Sequence, residues 1–259
     1  MILTTKAELR RYQDVCATSM EILHTLYQAV AIGVYPIEIE RKARDLLKKH
    51  SARSAFLGVK GEYQPYRFVT CISVNDAIVH GVPSDKVPFQ SGDIIKLDFG
   101  LVKDSYFTDH CVTVVLEPAN VTDLEFVATA KTAILQGVQA SVHGHKAGDI
   151  GHTIHTYLQA HGYDVAKEYI GHSIGKSLHE RPNIPAYGRP GTGADIRNGM
   201  ILCIEAQVVA GSDKWYLERD GWTVRTADHK NSAMFEYMVL VENDTPQILT
   251  DTREWPITK

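Results

Sequence analysis

Five polar residues stand inside strand-like apolar runs, where an ordinary soluble chain keeps hydrocarbon. Asp98 lies in Ile94-Ile95-Lys96-Leu97-Asp98-Phe99 and Asp109 just ahead of Cys111-Val112-Thr113-Val114-Val115-Leu116. His172 lies in Gly171-His172-Ser173-Ile174-Gly175, Glu205 closes Met200-Ile201-Leu202-Cys203-Ile204-Glu205, and Glu236 interrupts Ala233-Met234-Phe235-Glu236-Tyr237-Met238-Val239. A buried carboxylate has to be protonated, paired or bound to a cation, because desolvating the bare charge is very costly. No Lys or Arg follows these strands closely enough to pair all four acids, so the set reads as a cage for cations.

Charge and spacing narrow the cage. Four carboxylates are balanced by two divalent ions, and a neutral His172 adds a nitrogen without charge. Oxygen donors with one imidazole and no thiolate favour Mn2+, Fe2+, Co2+ or Zn2+, whereas a structural zinc more often recruits cysteines. A two-residue turn at Lys103-Asp104 puts Asp98 directly opposite Asp109, where like charges need a cation or a shared proton between them. A turn one residue off would instead leave Asp109 to start a strand at the surface. Cys71, Cys111 and Cys203 lie near these residues in sequence and read as small core side chains.

The rest of the chain supplies the frame. With 44% apolar residues, the 259-residue chain is long enough to bury a core, as one domain spanning 1–259 with two fused halves. The net charge of −4, with no basic stripe, argues against nucleic acid as a partner. Cys16, Cys71, Cys111 and Cys203 show no CxxC spacing, no apolar run is long enough for a membrane span, and Met1 to Arg11 lacks a signal-peptide core. These features point to a reduced, cytoplasmic protein.

Thr5-Lys6-Ala7-Glu8 has the form of a capping box, and Leu9, Tyr12, Cys16, Ile22, Leu23, Leu26 and Val30 recur at helical spacing as far as Gly33. A second helix is predicted over Pro36–His50, with strands over Phe68–Val74 and Ile94–Leu116. The order then restarts, with helices over Val121–Val142 and Asp149–His161 and further strands. Shifting the Pro36 helix by 111 positions lays Ile39 on Ile150, Ala43 on Ile154, Leu46 on Tyr157, Leu47 on Leu158 and His50 on His161. This predicts an α/β domain of two pseudo-duplicated halves, about 1–117 and 118–259, with the polar site at their seam. His80, in an apolar strand running into a Gly-Pro turn, and His179, seven residues after His172, are further candidates beside such a site. His50, His143, His145, His152, His155 and His161 fall on predicted helices or their ends and read as solvated.

At these residues the chain resembles the methionine aminopeptidases, in their short type I form, from Gly61-Glu62-Tyr63-Gln64-Pro65-Tyr66 through Ser232-Ala233-Met234-Phe235-Glu236. The resemblance implies the pita-bread fold. It implies that Asp98 chelates one metal ion, that His172 and Glu205 hold a second, and that Asp109 and Glu236 bridge them. His80 and His179 match histidines that contact the substrate backbone or the tetrahedral intermediate, and Glu205 would move protons. Tyr63, Tyr66, Cys71 and Trp222 match positions lining the methionine pocket, while Leu178 stands where the family usually has Phe. Ala206 replaces a Pro, Met234 a Gln and Tyr237 a His. The resemblance also implies a monovalent cation near Asn75 and Ser232, and a monomer acting on the N-termini of peptides and nascent chains, transiently at the ribosome surface. Two other readings stay open: an Xaa-Pro peptidase of the same fold, and a non-catalytic pita-bread module that binds peptides.

Overall fold

The computed structural model describes all residues, Met1–Lys259. Two helices open the chain, α1 (Lys6–Ala29) and α2 (Pro36–Lys49). Seven strands follow: β1 (Arg53–Ser54), β2 (Thr70–Val74), β3 (Ala77–Val79), β4 (Ile94–Phe99), β5 (Leu101–Lys103), β6 (Tyr106–Phe107) and β7 (His110–Val115). The second half repeats the order with α3 (Val121–Gln139) and α4 (Ala147–Ala160), then β8 (Asp164–Val165), β9 (Gly171–Ser173), β10 (Glu180–Ile184) and β11 (Ile201–Val209). It ends with β12 (Trp215–Leu217), β13 (Val224–Thr226), β14 (Ser232–Leu240) and β15 (Gln247–Ile248).

Helix starts follow their capping residues. Glu8 N–H donates to Thr5 Oγ1 at 3.2 Å and Thr5 N–H to Glu8 Oε2 at 3.1 Å, closing the predicted box. α1 stops at Ala29, short of Gly33, because Val30 turns to extended backbone. α4 starts two residues earlier than predicted, since Asp149 is not its first residue but its third, accepting the Lys146 N–H at 2.7 Å. Glu38 does the same for Tyr35 N–H at 2.8 Å in α2. The 111-residue shift therefore superposes the bounds of α2 on those of α4 and one acidic cap on the other.

The central antiparallel sheet runs β10-β9-β11-β14-β7-β4-β2, with β15 beside β14 and β8 beside β11. Tyr12, Cys16, Leu23 and Leu26 of α1 pack with Ile39, Ala43 and Leu47 of α2 against Ile95, Leu97 and Phe99 of β4. In the second half, Phe126, Ala130 and Ile134 of α3 and Ile150, Ile154 and Leu158 of α4 cover Leu202, Ile204, Ala206 and Val208 of β11 and Phe235, Tyr237 and Val239 of β14. Side chains alternate along a strand, so covering these positions leaves Cys203, Glu205, Gln207, Met234 and Glu236 on the opposite face. His110 points toward α1, with Nε2 2.8 Å from Ser19 Oγ.

The hairpin differs from the sequence expectation by one residue. Lys103 pairs with Tyr106, and the turn residues are Asp104 and Ser105, both left-handed with φ of 51° and 65°. That is the pattern of a type I′ turn, which matches strand twist. Asp98 consequently lies opposite Cys111, and Asp109 falls in the break between β6 and β7. Moving a turn by one residue shifts each pairing by two, so facing is preserved: Asp109 stays on the face of Cys111 and Asp98. It is 6% exposed, a buried group and not a surface strand end.

Candidate metal centre

A single rung of the sheet carries three of the acids. Glu205 is directly opposite Glu236, Glu236 opposite Cys111, Cys111 opposite Asp98, and Asp98 opposite Cys71. Asp109 joins from two residues before Cys111. His172 joins from β9, where it pairs with Cys203, two residues before Glu205. Its Nε2 lies 3.7 Å from Asp109 Oδ2 and 3.8 Å from Glu205 Oε1. His172 Nδ1 is 3.0 Å from its neighbour's carbonyl oxygen at Ser173, so Nδ1 carries the proton and Nε2 is left as a donor atom for a cation.

No lysine or arginine forms an ion pair with any of the four acids. Asp98 Oδ1, Asp109 Oδ1 and Glu236 Oε1 are buried without a hydrogen-bond partner. Burial first, then the neighbouring carboxylates, push Asp98, Asp109 and Glu236 well above the usual carboxylate range, and burial pushes Glu205 up to about 7. Burial, then His179, pulls His172 down to about 4 and keeps it neutral at neutral pH. Bare acceptors, mutual repulsion and a neutral imidazole are the conditions a bound cation relieves. Ligand atoms of Asp98, Asp109 and Glu236 lie within 4.8 Å of one another, as do those of Asp109, His172 and His179. The residues present therefore fit divalent metal. Cys203 Sγ adjoins His172 and Glu236, but burial raises its thiol pKa well above the ordinary value, so it stays a protonated core group.

These residues floor a cavity of about 330 Å³. Its apolar wall includes Phe56, Tyr66, Cys71, Leu178 and Trp222, with His80 and His179 at the polar end. Tyr66 is fixed by its hydroxyl, which donates toward Thr70 O at 2.9 Å and Gly81 O at 3.1 Å, and its ring meets Trp222 edge-on with centroids 4.9 Å apart. His80 has φ of 56°, a left-handed bend rare for a residue with a Cβ, at the point where β3 ends. Its ring stands edge-on to Tyr169 at 5.4 Å and to Trp222 at 5.9 Å. Gly81 follows because a Cβ there would meet Ile72 O at 2.3 Å. His179 stacks edge-on to His172, centroids 4.5 Å apart.

Residues 9–243 match the sequence profile of Metallopeptidase family M24. The chain belongs to family M24.

Among its M24 relatives, the methionine aminopeptidase of Clostridium acetobutylicum is 34% identical over 230 residues, covering 89% of this chain and 90% of that one. The crystal structure of methionine aminopeptidase from Rickettsia prowazekii superposes with a TM-score of 0.91 at 30% identity, covering 97% of this chain and all of that one, 100%. The pita-bread α/β architecture is thereby that of this chain. A prolidase from Pyrococcus horikoshii superposes at 0.76 and 21% identity, with 65% of its chain covered, a likeness of fold alone.

The fold brings Asp98, Asp109, His172, Glu205, Glu236, His80, His179, Tyr66, Cys71, Leu178 and Trp222 together around one M24 cavity. Tyr63 departs from the expectation. It is 70% exposed and lies beside Gly221, outside the lining, whereas its neighbour in the chain, Gln64, accepts from Trp222 Nε1–H at 3.1 Å. Where a monovalent cation was expected near Asn75 and Ser232, the ammonium of Lys96 stands instead, donating to Asn75 O at 2.6 Å and to Ser232 O and Oγ at 3.0 Å each. Of the departures from the methionine aminopeptidase resemblance, Ala206 and Tyr237 face α3 and α4, and only Met234 and Leu178 line the cavity. His50 and His155 are half-buried, not solvated, near Glu21 at 3.6 Å and Asp164 at 2.8 Å. Sequence reasoning passed over Gln207, Tyr169 and Phe56. Gln207 was within reach of it, being two residues beyond Glu205 on the same strand face.

Proposed function

We propose that the protein is a methionine aminopeptidase, hydrolysing the first peptide bond of substrates that begin with Met followed by a small residue. The observation that carries this reading is the intact set of Asp98, Asp109, His172, Glu205 and Glu236 at the floor of an apolar cavity sized for one side chain. Its relatives bearing that name extend over most of the chain.

Two divalent ions, drawn from Mn2+, Fe2+, Co2+ and Zn2+, would be held by Asp98, Asp109, His172, Glu205 and Glu236. When bound, they supply Lewis acidity toward the scissile carbonyl and make a water acidic enough to attack near neutral pH. Glu205 is the carboxylate assigned to take a proton from the attacking water and return it to the leaving amine. Burial lowers His80 to about 4 and lowers His179 too, so both imidazoles are neutral and offer N–H groups to the carbonyl oxygen as charge develops on it. His80 is held for this by the two aromatic rings against it. Tyr66, Phe56, Leu178 and Trp222 surround the thioether, and aromatic contacts to sulfur add about 0.3–1.5 kcal/mol each.

In this reading the substrates are N-termini of peptides and nascent chains, met in the cytoplasm by a monomer that touches the ribosome surface transiently. The reading is supported by four free, buried cysteines and by the lack of any helix long and apolar enough to cross a membrane. The test is to load the purified protein with Mn2+ or Co2+ and offer Met-Gly-Xaa, Xaa-Pro and internal-Met peptides. Free methionine from the first alone is expected. Bound metal with no turnover on any peptide would overturn the proposal.

A further inference from the structure

Gln207 is 2% exposed, lines the cavity, and follows Glu205 by two residues along β11, so both side chains rise from the same face. Its Nε2–H donates to Glu205 Oε2. The other oxygen of that carboxylate, Oε1, is the one facing His172 Nε2 at 3.8 Å. Gln207 thus divides the Glu205 carboxylate into an oxygen tied back to the protein and an oxygen presented to the proposed cation. The division leaves a mark: Gln207 Oε1 is buried without a partner. Directly opposite, across the β11/β14 pair, stands Met234, where the family pattern carries the amide, and Gln207 Nε2 lies 3.9 Å from its sulfur. The amide is present, but on the facing strand.

We infer that Gln207 is a positioning residue, whose amide holds Glu205 in the orientation that presents one oxygen to the metal. This deepens the proposed function and rests on it for the identity of the ligand. Gln and Met are close in volume, so exchanging them tests the amide and not the packing.

The experiment compares wild type, Gln207→Met, and the swapped double variant Gln207→Met with Met234→Gln, all as full-length protein. Mn2+ affinity is measured by calorimetry on chelator-treated protein, together with metal-free Tm and turnover of Met-Gly-Xaa. In Gln207→Met, Mn2+ affinity and kcat/KM are expected to fall about 10- to 100-fold, the range for losing an outer partner of a metal ligand, with metal-free Tm held or raised. The double variant should recover most of both losses, because the amide returns to the same rung from the opposite strand. Unchanged Mn2+ affinity in Gln207→Met, a loss that tracks a lowered Tm, or no recovery in the double variant would each overturn the inference. Wild-type protein that binds Mn2+ yet cleaves no peptide would sink the aminopeptidase reading, while the affinity comparison would still decide the role of Gln207.

Discussion

Glu40 in α2 and Glu236 in β14 are both buried glutamates, 1% and 2% exposed, and their surroundings are opposite. Glu40 accepts from Arg44 Nε at 2.7 Å, from the backbone N–H groups of Val69 and Thr70 at 3.0 Å, and from Thr70 Oγ1 at 2.8 Å. It ties the second helix to the start of β2. Glu236 has three other carboxyl groups for company, no basic partner, and one oxygen with nothing to accept from. A buried charge whose hydrogen-bonding capacity is filled is part of the architecture, whereas one left open among like charges is waiting for a ligand. Lys96 belongs with Glu40 in this respect, since its three oxygen acceptors fill the reach of its ammonium.

The sharpest way to break the contrast is to neutralise one acid of each kind. Glu205→Gln, which removes a proton carrier and a ligand oxygen while keeping shape, should lower turnover about 10²- to 10⁴-fold with the far-ultraviolet circular dichroism of the folded protein retained. Near-normal turnover would mean that the metal site has been misassigned. Glu40→Ala should do the reverse. Arg44 keeps solvent when its partner is lost, but the buried N–H groups of Val69 and Thr70 lose their acceptor at about 1–3 kcal/mol each, so chemical denaturation should show a clear loss of stability, while kcat per folded molecule stays near the wild-type value. A collapse of kcat in folded Glu40→Ala protein would erase the distinction.

Acid and metal should separate the two regions more gently. The metal-free site holds carboxyls whose pKa values are raised on folding, Glu205 from 4.5 to about 7 and the other three upward as well. A raised pKa means that the folded state binds the proton more tightly. The resulting stability is fully present below about 4.5 and is lost as the pH rises through about 7. Chelator-treated protein should therefore show a Tm that declines across that window. Mn2+ at a hundred times its dissociation constant should restore about 2.7 kcal/mol and flatten the decline. A flat metal-free profile would show that the acids are already compensated. The smallest effect is expected at Tyr63→Ala. An exposed side chain outside the cavity should change stability by no more than about 0.5 kcal/mol, and Met-Gly-Xaa turnover correspondingly little. Tyr66→Ala, by contrast, should raise KM clearly. Equal effects at the two tyrosines would return Tyr63 to the pocket wall.

Much of this site was legible in the chain, because the signals are local. An acid within a strand-like apolar run needs no tertiary information to look out of place, and the caps at Thr5 and Pro36 are settled by neighbours a turn away. The hairpin shows how far such reasoning reaches. The turn was placed one residue early, yet the facing of Asp98 and Asp109 survived because alternation along a strand has a period of two. Other features depended on contacts distant in sequence. Likeness puts Tyr63 on the pocket wall, and the folded chain leaves it 70% exposed outside the lining. The cation expected beside Ser232 gave way to Lys96, whose ammonium reaches there because β4 and the turn between β2 and β3 lie close to the start of β14.

By itself, then, the sequence determined which side chains would be forced into an apolar interior, that their charges could not be cancelled by any nearby Lys or Arg, and where the helices would start. The tertiary structure alone decided which acid meets which. Glu205 faces Glu236 only because β11 and β14 pair in one register across an intervening hairpin, and Asp98 reaches their rung only through Cys111 of β7. Side-chain alternation is a property of a single strand, but the neighbour across the ladder is chosen by non-local pairing that buries one face of the sheet under its helices.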